Sequence, residues 1–244
     1  MLYLGGLLPV AGVEARLPRR AAGLAVRPFA GVRRVLYLNL RTGLPRGITI
    51  AEIAAEHAEA IRALGAEPVD VLGVSTGGSI AQQLAADHPE LVRRLVLIGT
   101  GCRLDAKTRD LQAHVAAHIR AGRPDRALST LAVCVLFPNG EPLARRLAPL
   151  ASPVAHRLGD LSDLAATIEA EDRFDLARAD GAVRAPTLIV AGARDRFYPR
   201  PLLEETQRLI PGSELRVIPR RGHVTVTGDG RVNAMVHAFL LAPR

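Results

Sequence analysis

The stretch Val71-Leu72-Gly73-Val74-Ser75-Thr76-Gly77-Gly78 decides the predicted fold of this chain. Its apolar beginning predicts a buried strand, and the alanine-rich run from 79 to 86 predicts a helix. A serine on the tight turn between them has a strained backbone, so side chains two residues before and after it would collide. Gly73 and Gly77 provide the small residues that this turn requires. The pattern predicts a nucleophile at Ser75, and the alternative is an ordinary glycine-rich turn.

The composition favours one α/β domain with an insertion and excludes several classes of protein. The chain has 244 residues, 48% hydrophobic and 3% aromatic, so its core must consist of Ala, Val, Leu and Ile. No apolar stretch is long enough to span a bilayer, and the N-terminus lacks the basic residues of a signal peptide. Cys102 and Cys134 are too few for a disulfide framework and lack metal-ligand spacing. We expect a cytoplasmic protein with no membrane segment and no metal.

The net charge of +8 comes almost entirely from arginine, since Lys107 is the only lysine. Nucleic-acid binders usually concentrate positive charge in one run or on one face, and many add stacking aromatic residues. Here the arginines are scattered along the chain and aromatic residues are scarce. The sequence therefore predicts no nucleic-acid partner.

Strands and helices alternate along most of the chain. The predicted strands are 2–4, 35–40, 69–74, 95–99, 187–192 and 214–218, and further helices are predicted over 202–209 and 232–241. Thr49 and Glu52 predict a capping box at the start of a helix that Gly65 ends. His57 lies beside the apolar face of that helix and is expected to be packed rather than catalytic. The alternation predicts a doubly wound, mostly parallel sheet.

The pattern changes between residues 101 and 182, where strand signals are lacking. Apolar residues recur there at helical spacing, and prolines punctuate the helices. The three apolar sets are Leu111, Val115 and Ile119; Leu128, Leu131, Val135 and Leu136; and Leu161, Leu164 and Ile168. We therefore predict an inserted helical cap over 101–182, with 1–100 and 183–244 forming the core domain.

A serine nucleophile needs a base to accept its proton and an acid to orient that base. In a doubly wound sheet, catalytic groups gather at the carboxyl ends of the strands. Asp195 closely follows the strand 187–192, and His223 follows the strand 214–218. These two residues complete a predicted triad with Ser75. Asp105, which follows the preceding strand, remains the competing acid.

With this order of serine, acid and histidine, the chain resembles the α/β-hydrolases, in particular small esterases and lactonases. The matching segments span nearly the whole chain. They are 73–78, 88–92, 186–195 and 222–223. The resemblance implies the α/β-hydrolase fold, hydrolysis through an acyl-enzyme, and no metal or organic cofactor.

The resemblance also implies an oxyanion hole made of two backbone N–H groups. One belongs to Thr76, directly after the nucleophile. In the family the second donor follows a His-Gly pair after an early strand. This chain has Gly5-Gly6 at that place without the histidine, which assigns the second donor to Leu7.

We expect a small-molecule substrate that is a carboxylic ester or a lactone. Two alternatives stay open, namely a thioesterase that serves an acyl carrier protein and a ligand receptor with little turnover. Five arginines, three after the strand 187–192 and two shortly before His223, could favour an anionic substrate or an acidic carrier. They are Arg194, Arg196, Arg200, Arg220 and Arg221.

Family members usually begin with an antiparallel pair of strands, which is missing here. The strand 35–40 would then lie at the edge of the sheet. Because it is apolar and carries no charge or proline, it would tend to pair with another chain. We expect either a homodimer that joins two sheets there or a segment elsewhere that covers the edge.

Overall fold

A computed structural model describes residues 1–7, 16–136 and 141–242 of the chain. Within these residues, six strands form one sheet in the order β2-β1-β3-β4-β5-β6, and neighbouring strands pair in parallel. The strands are β1 (Leu2–Leu4), β2 (Leu36–Leu38), β3 (Val69–Val74), β4 (Val92–Ile98), β5 (Thr187–Gly192) and β6 (Glu214–Ile218).

Helices cover both faces of this sheet, which confirms the predicted doubly wound fold. The helices are α1 (Arg16–Ala30), α2 (Ile50–Ala63), α3 (Thr76–Asp87), α4 (Ala106–Arg120), α5 (Pro124–Leu136), α6 (Glu141–Leu158), α7 (Ser162–Asp172), α8 (Arg200–Leu209), α9 (His223–Thr227) and α10 (Gly230–Leu241). None of the helices in the described parts of the chain is long and apolar enough to cross a membrane.

Neighbouring residues of each strand point to opposite faces, so the sheet separates two apolar clusters. On one face, Val71 and Leu95 pack with residues of α2, α3 and α8. On the other face, Leu72 and Val96 pack with residues of α1 and α10. Burial on both faces explains why residues 71–74 of β3 and 95–98 of β4 contain no polar side chain.

Helix α1 is not among the predicted elements and is a correction to them. Gly23 and Pro28 lower its intrinsic helix propensity. Tertiary packing offsets this cost, because Ala22 and Phe29 are buried and Val26 packs against the apolar cluster that contains Leu72 and Val96. Their spacing of four and three residues was the available signal. The helix also provides the crossover that the parallel pairing of β1 and β2 requires.

Two strands differ in length from their predictions. β2 spans three residues, not the six of 35–40, and lies at the edge of the described sheet as expected. β4 begins at Val92 rather than at residue 95. The start was missed because Arg93 and Arg94 interrupt the apolar run, but both side chains have partners in the fold. Arg93 pairs with buried Asp70, and Arg94 donates to the carbonyl oxygens of Leu240 and Ala242.

Helix α2 follows its prediction closely. Thr49 Oγ1 accepts from the Glu52 N–H at 3.1 Å, and Glu52 Oε2 accepts from the Thr49 N–H at 2.7 Å. Gly65 follows its end with φ 58°, a conformation that favours glycine. His57 is buried on the apolar face, as expected, and its Nδ1 lies 2.8 Å from the Ile53 carbonyl oxygen.

In the described chain, helices α4 to α7 lie between β4 and β5 and share a small apolar cluster, against which Leu7 also packs. Prolines do not separate the helices throughout, because Pro149 and Pro153 lie inside α6. Ala144, Ala148 and Ala155 are buried on that helix, and this packing offsets the lost backbone hydrogen bonds. The division at 101–182 stays a prediction, since residues near both of its ends, such as Cys102 and Phe174, belong to the main core.

Candidate active site

Ser75 occupies the turn between β3 and α3 with φ 50° and ψ −124°, a strained conformation for a residue other than glycine. Its N–H donates to the Ile98 carbonyl oxygen of β4 at 3.0 Å, which holds the turn against the sheet. A Cβ atom on Gly73 would lie 2.5 Å from the Gly77 carbonyl oxygen and 2.6 Å from Gly78 Cα. The predicted need for small residues around Ser75 is thus visible in the packing.

The structure brings His223 and Asp195 to Ser75 from the carboxyl ends of β6 and β5. Ser75 Oγ lies 3.0 Å from His223 Nε2, and His223 Nδ1 lies 3.0 Å from Asp195 Oδ2. Because a carboxylate only accepts, Nδ1 carries the proton, and Nε2 is then free to accept the proton of the Ser75 hydroxyl. The three side chains form one continuous hydrogen-bonded chain.

The loop after β5 holds both the acid and the imidazole in place. Asp195 is buried, and its Oδ1 accepts the N–H groups of Phe197 at 2.9 Å and Tyr198 at 3.1 Å. The rings of the same two residues stack on His223, with centroids 4.8 Å and 5.9 Å away. Since Oδ1 is occupied by backbone donors, Oδ2 remains for the imidazole.

The competing acid, Asp105, lies elsewhere in the fold. It caps the N-terminus of α4, where its Oδ1 accepts the Thr108 N–H at 2.7 Å. A capping carboxylate stabilises a helix and needs no catalytic role. The structure therefore pairs His223 with Asp195 and not with Asp105.

The two residues predicted to hold an oxyanion flank the serine. Thr76 is the first residue of α3, so its N–H has no acceptor within the helix. The loop that contains Leu7 follows β1, the neighbour of β3 in the sheet. A Cβ atom on Gly6 would lie 3.3 Å from Ser75 Cβ, which shows how closely this loop approaches the nucleophile turn.

Comparison with known proteins shows the family of this chain. Residues 10–234 match the model of a family described as the alpha/beta hydrolase family. The chain belongs to the alpha/beta hydrolase family. Over 204 residues it is 31% identical to "Putative carbamate hydrolase RutD" of Klebsiella pneumoniae subsp. pneumoniae, with 82% of this chain and 76% of that protein covered.

A second relative has a different named activity. Over 171 residues the chain is 32% identical to the pimeloyl-(acyl-carrier protein) methyl ester esterase of Neisseria meningitidis serogroup C, with 68% of this chain and 66% of that protein covered. Among solved structures, MGS-M2, an alpha/beta hydrolase enzyme from a Medee basin deep-sea metagenome library, matches with a TM-score of 0.79. It is 16% identical, with 100% of this chain and 89% of that chain covered, so it shows the fold alone.

This alpha/beta hydrolase carries a buried acid that the sequence analysis did not single out. Glu171, near the end of α7, is 1% exposed. Its Oε2 accepts from Thr76 Oγ1 at 2.8 Å and Gln112 Nε2 at 3.2 Å, and its Oε1 accepts from Ser79 Oγ at 3.1 Å and Tyr198 Oη at 3.2 Å. Burial raises the pKa of Glu171, and these hydrogen bonds partly offset that effect.

One signal in the sequence could have revealed this acid. Leu161, Leu164 and Ile168 mark the apolar face of α7, and Glu171 continues their spacing. A charged residue on a buried helix face requires partners to offset its desolvation. The pattern thus marks Glu171 as exceptional, although it does not say which groups surround it.

A pocket lies beside the proposed oxyanion loop and reaches to α7. Gly6, Leu7 and Thr76 line one side of it, and Asp163 and Thr167 of α7 line another. The Asp163 carboxylate also accepts the backbone N–H groups of residues 43 and 44, which ties α7 to the loop after β2. The pocket is therefore bounded by the core sheet and by the inserted helices together.

His57 lines the same pocket from the α2 side. Because its Nδ1–H donates to a carbonyl oxygen, the neutral ring presents Nε2 as an acceptor. Burial lowers the pKa of His57, which favours this neutral form.

The five arginines near the site have different surroundings. Arg200 pairs with Glu204, and Arg221 pairs with Asp229. Arg194, Arg196 and Arg220 are exposed. A preference for anionic substrates stays a prediction.

The described residues contain no group of three or more His, Cys, Asp or Glu side chains placed to hold a metal ion.

Proposed function

We propose that this protein is a serine hydrolase that cleaves a carboxylic ester or lactone through an acyl-enzyme. The observation that carries the proposal is the continuous hydrogen-bonded chain from Ser75 through His223 to Asp195. A serine hydroxyl is a weak nucleophile by itself, and this arrangement provides the base and the orienting acid that activate it.

In the proposed reaction, Ser75 Oγ attacks the substrate carbonyl carbon while its proton moves to His223 Nε2. The oxygen of the tetrahedral intermediate takes the negative charge and accepts the N–H groups of Thr76 and Leu7. Collapse of the intermediate breaks the bond to the alcohol oxygen, which takes the proton from His223. Water then attacks the acyl-enzyme by the same route and releases the acid and free Ser75.

Asp195 supports each step without itself becoming protonated. Its hydrogen bond to Nδ1 keeps Nε2 available to Ser75 and stabilises the imidazolium that forms after each proton transfer. The buried position of Asp195 strengthens this interaction because solvent does not screen it.

The remainder of the substrate is proposed to lie in the pocket beside Gly6, Leu7 and Thr76. The helices of the proposed cap, over 101–182, would close this pocket on the side away from the sheet. α7 supports this arrangement, because it lines the pocket and also contacts the core.

The relatives define which substrates should be tested first. One is named as a carbamate hydrolase and another as a methyl ester esterase that acts on an acyl-carrier-protein conjugate. Carbamates, esters and thioesters all present a carbonyl carbon bonded to a leaving heteroatom, so the same serine could attack each of them. A substrate series therefore needs a neutral methyl ester, a lactone, a carbamate and a thioester.

The test compares wild-type protein with Ser75→Ala on short nitrophenyl esters and on this series. We expect the variant to lose on the order of 10⁴-fold or more in kcat. Ser213→Ala is the matched control, because Ser213 precedes β6 at the opposite end of the sheet, and it should retain wild-type kcat.

Labelling with a fluorophosphonate separates the remaining outcomes. Labelling of wild type and not of Ser75→Ala is expected. Equal hydrolysis by wild type and Ser75→Ala would refute the proposed mechanism. Labelling without turnover of any substrate in the series would favour a ligand receptor over an enzyme.

A further inference from the structure

Glu171 is a buried acid outside the Ser75, His223 and Asp195 chain, and its contacts lead to both ends of that chain. Its Oε2 accepts the hydroxyl of Thr76, whose N–H belongs to the proposed oxyanion hole. Its Oε1 accepts the hydroxyl of Tyr198, whose N–H holds Asp195 Oδ1. One carboxylate thus contacts the residue after the nucleophile and the loop of the acid.

Both carboxylate oxygens of Glu171 are surrounded by groups that carry N–H or O–H bonds. Gln112 Nε2 donates to Oε2 at 3.2 Å, and the Ser79 hydroxyl donates to Oε1 at 3.1 Å. Together with Thr76 and Tyr198, four donors from helices α3 and α4 and from the loop before α8 converge on one side chain. Hydrogen bonds to a carboxylate are stronger than those between neutral groups, particularly when they are shielded from water. The cluster is therefore stiff, and its geometry depends on the acid.

The position of Glu171 links this cluster to the substrate pocket. It stands in the last turn of α7, while Asp163 and Thr167 of the same helix line the pocket. Ser79 and Thr76 lie one turn apart at the start of α3. The carboxylate therefore accepts hydrogen bonds from the first turn of the helix that follows Ser75.

We propose that Glu171 is a positioning residue that keeps the Thr76 N–H and the loop of Asp195 correctly placed relative to Ser75. This inference rests on the proposed hydrolase function and adds a group from the inserted helices to its machinery. Glu171 acts through Thr76 and Tyr198 and touches no reacting atom. Its loss should therefore lower kcat while KM changes little, because the pocket wall keeps its shape.

The first variant for testing is Glu171→Gln, which preserves size but replaces one acceptor oxygen with an amide donor. That donor is satisfied only if a hydroxyl that now donates to Glu171 turns to accept instead, so at least one present hydrogen bond is lost. We expect kcat on a short nitrophenyl ester to fall by roughly 10- to 100-fold, the effect of small misplacements of reacting groups, with KM within about 2-fold of wild type.

A matched control lies on the same helix. Glu169 pairs with Arg120 of α4, within the inserted helices and without contact to the Ser75 turn. Glu169→Gln carries the same chemical change and should keep kcat within about 2-fold of wild type. Urea unfolding of both variants shows whether Glu171→Gln is folded under assay conditions.

A second variant tests the route through Thr76. Thr76→Val removes the hydroxyl and keeps the backbone N–H, so it should lower kcat to a similar degree. If both changes break the same contact, the double variant should lose much less than the product of the two single losses. Fully multiplicative losses would show that Glu171 does not act through Thr76.

A measurement without substrate separates this proposal from the proposed function. The imidazole ¹⁵N chemical shifts of His223 report its hydrogen bonds to Asp195 and Ser75, and we expect them to change in Glu171→Gln and not in Glu169→Gln. Unchanged shifts together with unchanged fluorophosphonate labelling would overturn the positioning role, whether or not an ester is found that wild type hydrolyses. Failure of wild type to react with the fluorophosphonate, with the His223 shifts altered as expected, would refute the hydrolase function alone.

Discussion

Gly73→Ala is the sharpest test of how the turn at Ser75 is packed. The new Cβ would lie 2.5 Å from the Gly77 carbonyl oxygen, 2.6 Å from Gly78 Cα and 2.8 Å from Ala81 Cβ. Ordinary contacts of a Cβ atom begin near 3.4 Å. Two of the three neighbours are backbone atoms that cannot rotate away, so β3 and the first turn of α3 must separate by several tenths of an ångström.

Overpacked cores lose roughly 1–3 kcal/mol, and the rigid neighbours place this change near 3 kcal/mol. With a urea m-value of about 3 kcal/mol/M, the unfolding midpoint should fall by about 1 M. The same separation would displace Ser75 Oγ from His223 Nε2, now 3.0 Å away, and a shift near 1 Å can lower kcat by about 100-fold. Urea unfolding and ester hydrolysis measure the two effects.

The control for this change is Gly23→Ala. Gly23 is an exposed residue within α1, and a Cβ atom there would meet nothing within 4 Å. Alanine should therefore stabilise the helix by up to about 1 kcal/mol and leave kcat unchanged. If Gly73→Ala unfolds at the wild-type urea midpoint with wild-type kcat, the packing argument for the turn is wrong.

Two further predictions concern buried titratable groups. Burial and the neighbouring Glu171 raise the pKa of Asp172 from its ordinary 3.8 to about 7, and its buried Oδ1 has no hydrogen-bond partner in the described structure. The folded state therefore holds this proton more tightly than the unfolded chain, so stability falls as pH rises from 3.8 to about 7. Asp172→Asn should remove this loss and exceed wild type at pH 8 by on the order of 1–2 kcal/mol after solvent screening, but not at pH 4, by urea unfolding. His57 has the opposite sign, because burial lowers its pKa below 6.5 and the unfolded chain binds the proton more readily. Wild type should lose stability as pH falls from 7 to 5, and His57→Gln should lose less. If the melting temperatures of the two proteins fall by the same amount between pH 7 and pH 5, the assignment is wrong.

The parts of the fold that sequence reasoning predicted are those where local chemistry and tertiary packing agree. Thr49, Glu52 and Gly65 mark a helix by capping rules that depend on neighbouring residues, and α2 has those bounds. The residues around Ser75 carry a pattern so restrictive that one stretch defines strand, turn and helix. The order of Ser75, Asp195 and His223 then predicted which side chains the sheet brings together.

The missed elements are those where distant packing overrides local preference. Pro153 was expected to separate helices but lies inside α6, and Pro28 lies inside α1, which was not predicted. Buried residues, such as Ala155 in α6 and Phe29 in α1, offset the local cost of these prolines. The start of β4 was missed because of Arg93, and only the folded structure shows that Arg93 forms an ion pair with buried Asp70. In each case the partner that offsets the local cost comes from a remote part of the chain.

Glu171 shows why a division of the sequence into core and cap is incomplete as a description of the site. Its backbone belongs to the helices inserted between β4 and β5, but its carboxylate is buried among Thr76, Ser79 and Tyr198 of the core elements. Removing a carboxylate from water costs free energy, and that cost is offset only while all of these donors stay in place. Any movement of α7 that widened the pocket would break these hydrogen bonds and disturb Thr76 at the same time. The inserted helices and the turn at Ser75 are therefore expected to move together, so the pocket cannot open at α7 without loosening the proposed oxyanion hole.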